Sequence, residues 1–538
     1  MNRKNLTAAV LAGLAGAAGI VGSAQAVNIN PDGLGQVLIY PYYTTNNNNI
    51  TLLSVVNTSE NAKAVKVRFT EGQNTREVLD FNLYMSAWDV WTASISTNED
   101  GNPELQTTDT SCTVPYLFGM GGKQEFLPFA LTDGGSTDIS RAAEGHFEMI
   151  EMGTLVDIDE GSAKAATHKN GVPNNCAQLV EAWTDPDDTK AGDEGYWLMD
   201  PFNDMEAPSG GLFGGAAIVN VANANMASYD ATAINGFATD VFANDILHQE
   251  PGSVLPSLNS GNVYDGTVFL DNGATQNSGP LPRGVDAVSY VFMHDQIMNE
   301  YTTETDTLAQ TEWVVTFPTK HFYVYAPSAG GDVPVAPFTS AWDSDADDPK
   351  ACEVVLLDTL WDREERTFVD PIETGEPVPP VVSPAPPGVI DPKDPIIPFE
   401  LCYETSVISF GDADLLGDAS PMLGSANFHN IDNTELGFEY GWARLQMDDY
   451  PHDANKDGVI DFEEELFTRA DLGGLNGLPV TGFAVQTFKN GFLGEGGATI
   501  GNYGGIYKHK ATRKLGSDDG FSPCDVFPEI YCPTPDPQ

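Results

Sequence analysis

Val65, Val67 and Phe69 alternate with Lys66, Arg68 and Thr70, and an apolar period of two is a strand signature that no helix satisfies. The alternation returns at Leu79, Phe81 and Leu83 against Asp80, Asn82 and Tyr84. Around these two runs lie Gln36 to Tyr43, Ile50 to Val56 and Trp88 to Ile95, each compact, apolar and bounded by turn residues such as Asn46 to Asn49. Short strands about a dozen residues apart favour antiparallel pairing in a sandwich. The polar partner in each alternation is expected to face water, giving half-buried strands. The predicted fold class is mainly β: antiparallel, Ig-like β-sandwich domains with a few short helices and long loops.

Further along, Phe147 to Val156 and Gly215 to Val221 read as strands, and Asn175 to Trp183 as a short helix. Asp286 to Tyr301 reads as a longer helix, with Val288, Val291, Phe292 and Met298 near helical spacing and Asp286 as its N-cap. Trp313 to Phe317 and His321 to Tyr325 read as a hairpin about Pro318-Thr319-Lys320. From Pro371 to Pro398 there are ten prolines in 28 residues, an extended stretch that builds no core. Strands resume at Thr405 to Phe410, Gly441 to Met447, Val480 to Phe488 and Ala498 to Tyr507, with Asn490-Gly491 as the strongest hairpin-turn signal. These elements predict a signal peptide at 1–26, an N-terminal β-sandwich region at 27–110 and a mixed β-rich region at 111–350. A disulfide-tied proline-rich loop at 351–405 and a C-terminal β region at 406–538 complete the layout.

Charge narrows the function. The 538 residues carry 78 Asp+Glu against 25 Lys+Arg, a formal net charge of −53. Such a field repels phosphate backbones and anionic lipid, which excludes nucleic acid as a partner, and it attracts cations. Residues 1–26 have the anatomy of an export signal: Arg3 and Lys4, an apolar run from Leu6 to Val21, and Ala24-Gln25-Ala26 as the cleavage pattern. Residue 27 is Val and not the Cys of a lipoprotein, and no later run reaches the ~20 apolar residues of a membrane helix. The expected location is outside the cytoplasm, in the periplasm, at the cell surface or beyond it. Six cysteines without a CxxC spacing suit disulfides in an oxidising compartment. Nearest-neighbour pairing gives Cys112–Cys176, Cys352–Cys402 and Cys524–Cys532.

One segment carries specific chemistry. From Asp453 to Glu464 every position of a twelve-residue calcium loop is filled. Asp453, Asn455 and Asp457 supply oxygens at positions 1, 3 and 5, Gly458 takes the turn, and Val459 offers its carbonyl. Asp461 and Glu464 complete a hard-oxygen set suited to Ca2+ and to neither zinc nor copper. The loop resembles the EF-hand and dockerin-like calcium motifs over these twelve residues, with Glu463 to Leu472 as the exiting helix. Pro451 and the strand pattern at Gly441 to Met447 leave no entering helix, and no second loop of this quality exists, so the resemblance implies a structural staple instead of a calcium switch. Weaker acidic clusters stand at Asp343, Asp345, Asp347 and Asp348, at Asp412, Asp414 and Asp418, and at Asp185, Asp187 and Asp188. The stretch from Val37 to Trp91 also resembles uncharacterised exported bacterial proteins, a likeness that implies no activity.

Searches for G-x-S-x-G, H-E-x-x-H, G-x-x-x-x-G-K-[ST] and G-x-G-x-x-G find nothing, and the eight histidines are scattered singly. The sequence therefore predicts an exported, non-catalytic, calcium-binding β-rich protein, a cell-surface, matrix or adhesion component whose partners are calcium and surface polysaccharide or other envelope proteins. Two alternatives stand beside it: a secreted calcium-stabilised carbohydrate-active hydrolase, and a carbohydrate-binding protein. A cleft with facing carboxylates would favour the first, a flat aromatic strip the second.

Overall fold

The computed structural model describes residues 26–156, 161–185, 194–240, 247–366, 397–412, 417–433, 437–448, 450–451, 466–467, 470–493 and 499–516. Over these residues the protein is mainly β, with antiparallel sheets and short helices. No described helix is long and apolar enough to cross a membrane.

The N-terminal alternations form strands β1 (Val37–Thr44), β2 (Ile50–Asn57), β3 (Ala62–Glu71), β4 (Glu77–Met85), β5 (Val90–Thr97) and β6 (Pro103–Gln106). With β7 (Glu144–Leu155), β8 (Leu212–Asn220), β9 (Asn225–Asp230) and β10 (Thr232–Asn235) they make two sheets. The first runs β10-β1-β7-β3-β4, and the second β9-β8-β2-β5-β6. Strands from either side of residue 110 thus share both sheets. Between them the apolar half of each alternation meets: Tyr40, Val67, Phe69, Phe81 and Phe147 from the first sheet pack on Leu53, Val55, Trp91 and Ile218 from the second. Phe69 and Phe147 stack at 5.0 Å.

A second sandwich lies beyond the first. Its outer sheet contains β11 (Gln296–Thr302), β13 (Glu353–Asp362), β14 (Ile397–Leu401), β17 (Tyr440–Gln446) and β20 (Lys510–Thr512), ordered β14-β13-β17-β11-β20. The inner sheet contains β12 (Gln310–Thr316), β15 (Thr405–Phe410), β16 (Phe428–Ile431), β18 (Thr481–Leu493) and β19 (Thr499–Lys508), ordered β16-β15-β12-β18-β19. On β12, Trp313 and Val315 enter the core of this sandwich, while Val314 between them enters the core of the first. The central strands β12 and β15 are therefore buried on both faces, whereas Tyr503 and Tyr507 on the edge strand β19 stay exposed.

Several expectations change. The polar faces of β3 and β4 are not solvated: every residue of both strands is buried, because Ala163, Leu179, Trp197 and Phe202 pack on Ala64 and Tyr84, and the segment around Gly252 bonds to Asp80 and Asn82. The helix expected from Asp286 is α2 (Gly284–Phe292), behind the short α1 (Cys176–Glu181) capped by Asn175. Asp286 lies in its first turn, accepting from the Arg283 N–H at 3.0 Å, and is not the N-cap. Residues 296–302 leave the helix because pairing with β17 and β20 outweighs helical spacing that only Met298 extended. His321–Val324 is a helical turn, α3, and not a hairpin strand. Asn490-Gly491 lies within β18, where the pairing with β19 is bulged between Lys489 and Phe492, and not at a turn. The proline-rich stretch ends two residues early, since Ile397 and Pro398 open β14, an edge strand where a proline costs no ladder bond.

Two disulfides form as the spacing predicts, Cys112–Cys176 and Cys352–Cys402. Cys524 and Cys532 lie outside the described residues, as do the export signal through Gln25 and most of the proline-rich stretch.

Candidate functional site

The predicted calcium ligands Asp453, Asn455, Asp457, Val459, Asp461 and Glu464 lie outside the described residues. The flanks of their loop are described. Tyr450–Pro451 pairs antiparallel with Leu466–Phe467, Tyr450 opposite Phe467 and Pro451 opposite Leu466. Backbone ladder bonds thus close the chain on either side of residues 452–465. This corrects the exiting helix expected from Glu463, because residues 466–467 are extended. A hairpin base takes its place, consistent with Pro451, which suits an edge strand and not a helix interior.

Of the weaker acidic clusters, Asp343, Asp345, Asp347 and Asp348 are all exposed. The Asp345 N–H donates to Asp343 Oδ1 at 3.0 Å, and Asp348 pairs with Lys350 at 3.3 Å, so part of this set is spent on local contacts. Asp187, Asp188 and Asp414 lie outside the described residues. Among the described residues the one convergent set of metal-ligand types is Cys352, Glu400 and Cys402, and its two sulfurs are bonded to each other, which removes them as thiolate ligands.

Charged side chains on β3, β4 and β7 build a different centre, one that periodicity did not reveal. Lys63 Nζ lies 2.6 Å from Glu151 Oε1 and 2.8 Å from Ser209 Oγ, with both charged side chains fully buried. Lys66 pairs with Asp80, and Arg68 with Glu148 and with Glu77, the last at 2.8 Å. Arg141 forks onto Glu71 at 2.7 and 3.0 Å and onto Asp133 at 2.8 Å. Burial disfavours an ionised Asp133, yet hydrogen bonds from Arg141 and Asn74 outweigh it and hold the carboxyl below its usual range. At Glu77 and Glu148 burial wins over Arg68 and raises the pKa. Burial, with Arg68 nearby, pushes His146 down to about 3. The signal was present in the sequence, since Arg68 falls opposite both Asp80 and Glu148 on the adjacent strands, but reading it required the register. With its charges buried, this set of ion pairs fastens neighbouring strands and the segments packed on them.

Where the two sandwiches meet there is a cavity of about 40 Å³, room for about three waters. Asn49, Asn220, Asn223, Asn225, Gln310, Thr487 and Lys489 line it together with apolar groups, and among the described residues no carboxylate does. Asn225 Oδ1 and Gln310 Oε1 are buried with no hydrogen-bond partner among the described residues. An amide lining can bind hydroxyls or water; it lacks the paired acids of glycoside hydrolysis. On the outer sheet, Trp361 and Trp442 face each other across β13 and β17 and stack at 4.1 Å with 10° between their planes. Trp442 is 37% exposed.

Fold and sites together define a disulfide-bonded, mainly β protein of two abutting sandwiches with a buried ion-pair layer. No family model matches the chain, and no curated protein or solved structure matches it either.

Proposed function

We propose that this chain is an exported, non-catalytic, calcium-binding structural protein of the cell surface or extracellular matrix. The observation that carries the reading is the antiparallel closure of Tyr450–Pro451 on Leu466–Phe467, which brackets a segment whose sequence fills every calcium-loop position. A cation there offsets the mutual repulsion of the loop's own acids and of a chain at −53. The two disulfides fit an oxidising compartment. Calcium at 100 times its dissociation constant adds about 2.7 kcal/mol, so thermal melting should rise with calcium and fall back with chelator. An Asp453→Ala/Glu464→Ala variant with the wild-type calcium response would refute the assignment.

One observation favours a second reading, carbohydrate binding: Trp442, exposed and stacked on the half-buried Trp361, is an apolar surface of the kind on which sugar rings lie. Quenching of tryptophan fluorescence by neutral oligosaccharides, lost in Trp442→Ala, supports it; unchanged emission across a panel of such sugars rejects it.

A further inference from the structure

The second sheet of the first sandwich has an uncharged outward face across its three central strands. Along β8, β2 and β5 the pairing sets outward residues in rows: Phe213, Val56 and Val90; then Gly215, Ser54 and Thr92; then Ala217, Leu52 and Ser94. None is charged, although the chain carries 103 formally charged residues as 78 acids and 25 bases. Phe213, Leu52 and Val90 are 42%, 43% and 48% exposed, so this is an open surface and not a second core. Acids stand at its margins, with Asp230 on β9 opposite Gly215 and Glu104 on β6.

We infer that this face is where a second copy of the chain docks, sheet against sheet. Three features argue for a copy of the same molecule. At −53 two copies repel over most of their surfaces, and close approach costs least where neither presents charge. The rows are self-complementary in size: the large row of Phe213, Val56 and Val90 adjoins the small row of Gly215, Ser54 and Thr92. A two-fold axis in the interface lays the large row of one copy on the small row of the other, the isologous arrangement of dimers, with the strand directions of packed sheets about 30° apart. An apolar centre inside an acidic margin is also the layout of interface core and rim.

The size sets the strength. Three strands about 4.8 Å apart, with outward residues about 6.7 Å apart along each, give a core of about 300 Å², well below the roughly 800 Å² per partner of a tight complex. The association is therefore weak and concentration-dependent, as suits a component that assembles where it is locally abundant. The inference deepens the matrix reading and rests on it for its setting; the contact itself needs no calcium.

Sedimentation equilibrium of the full chain, in chelator, from about 1 to 100 μM tests it. The expected result is a monomer–dimer equilibrium that tightens as salt rises from low ionic strength to about 0.5 M, because screening removes repulsion from an uncharged contact. Leu52→Asp should weaken dimerisation tenfold or more, while Leu308→Asp, the same charge change at an exposed site on the second sandwich, should leave it unchanged. A monomer at every concentration and salt would overturn the proposal. So would a dimer that weakens with salt, or one that Leu52→Asp and Leu308→Asp affect equally. Because calcium is absent throughout, failure here leaves the calcium reading standing, and failure of the calcium response leaves this one.

Discussion

Replacing Lys63 with Met probes the buried charge layer where it is most enclosed. Lys63 and Glu151 have no exposed side-chain surface, so the substitution strands a carboxylate with nothing but neutral donors. Three remain, the N–H groups of Ser209 at 2.9 Å and Gly210 at 2.8 Å and the Thr154 hydroxyl at 3.4 Å. Removing one partner of a buried pair costs about 3–5 kcal/mol; with these donors left to Glu151, the lower end, about 3 kcal/mol, is the expected loss. At about 2–4 °C per kcal/mol for a large domain, melting should fall by about 6–12 °C. Adding Glu151→Gln should return at least half of the loss, since the uncompensated charge disappears while an amide oxygen still accepts from the Ser209 or Gly210 N–H. Urea unfolding followed by circular dichroism gives the two stability losses, and a thermal melt gives the shift in temperature. A Lys63→Met variant within about 1 kcal/mol of wild type, or a double variant no better than the single, would refute the argument that an isolated buried charge sets the cost.

The other expected outcomes concern protons and the covalent frame. Burial is the chief cause that lowers His248 to about 4, while its ring contacts Pro201 O at 2.5 Å and the Tyr84 hydroxyl at 3.1 Å. The unfolded chain therefore takes up this proton first, near pH 6.5. Its contribution is complete above that pH and is lost as pH falls toward 4, by up to about 3 kcal/mol, so a His248→Gln variant should show a shallower decline in melting temperature over that window than wild type. Glu312 has the opposite sign: burial raises it to about 7 against hydrogen bonds from Met422, Leu423 and Ser420, so its contribution is lost as pH rises through 7, a trend that Glu312→Gln should abolish in the same melting series. The Cys352–Cys402 bridge closes a span of 50 residues, for which loop-closure entropy gives about 4 kcal/mol. Proteolysis within the proline-rich stretch should leave fragments that separate on a denaturing gel only after reduction; separation without reductant would contradict the bridge.

Local signals carried far in this chain. The alternation at Val65–Phe69 and Leu79–Leu83 specified strands because a period of two places one set of side chains on one face whatever the surroundings. Asn175 marked a helix start by a contact three residues away, and cysteine order gave two bridges because each joins neighbours in sequence. The closure at residues 450–467 was within reach of Pro451, which argued against an entering helix. Tertiary structure alone decided what lies over each face. Lys66 and Arg68 look like solvated residues until Asp80 and Glu148 arrive on neighbouring strands and the segment near Gly252 closes over Asp80, and Leu52 looks like core until β2 turns it outward. The helix from Gly284 stops at Phe292 because β17 and β20, about 150 and 215 residues further on, offer a ladder to residues 296–302. Alternation fixes that two faces differ; which of them meets water depends on partners hundreds of residues distant, whose pairing is decided by burial summed over whole sheets.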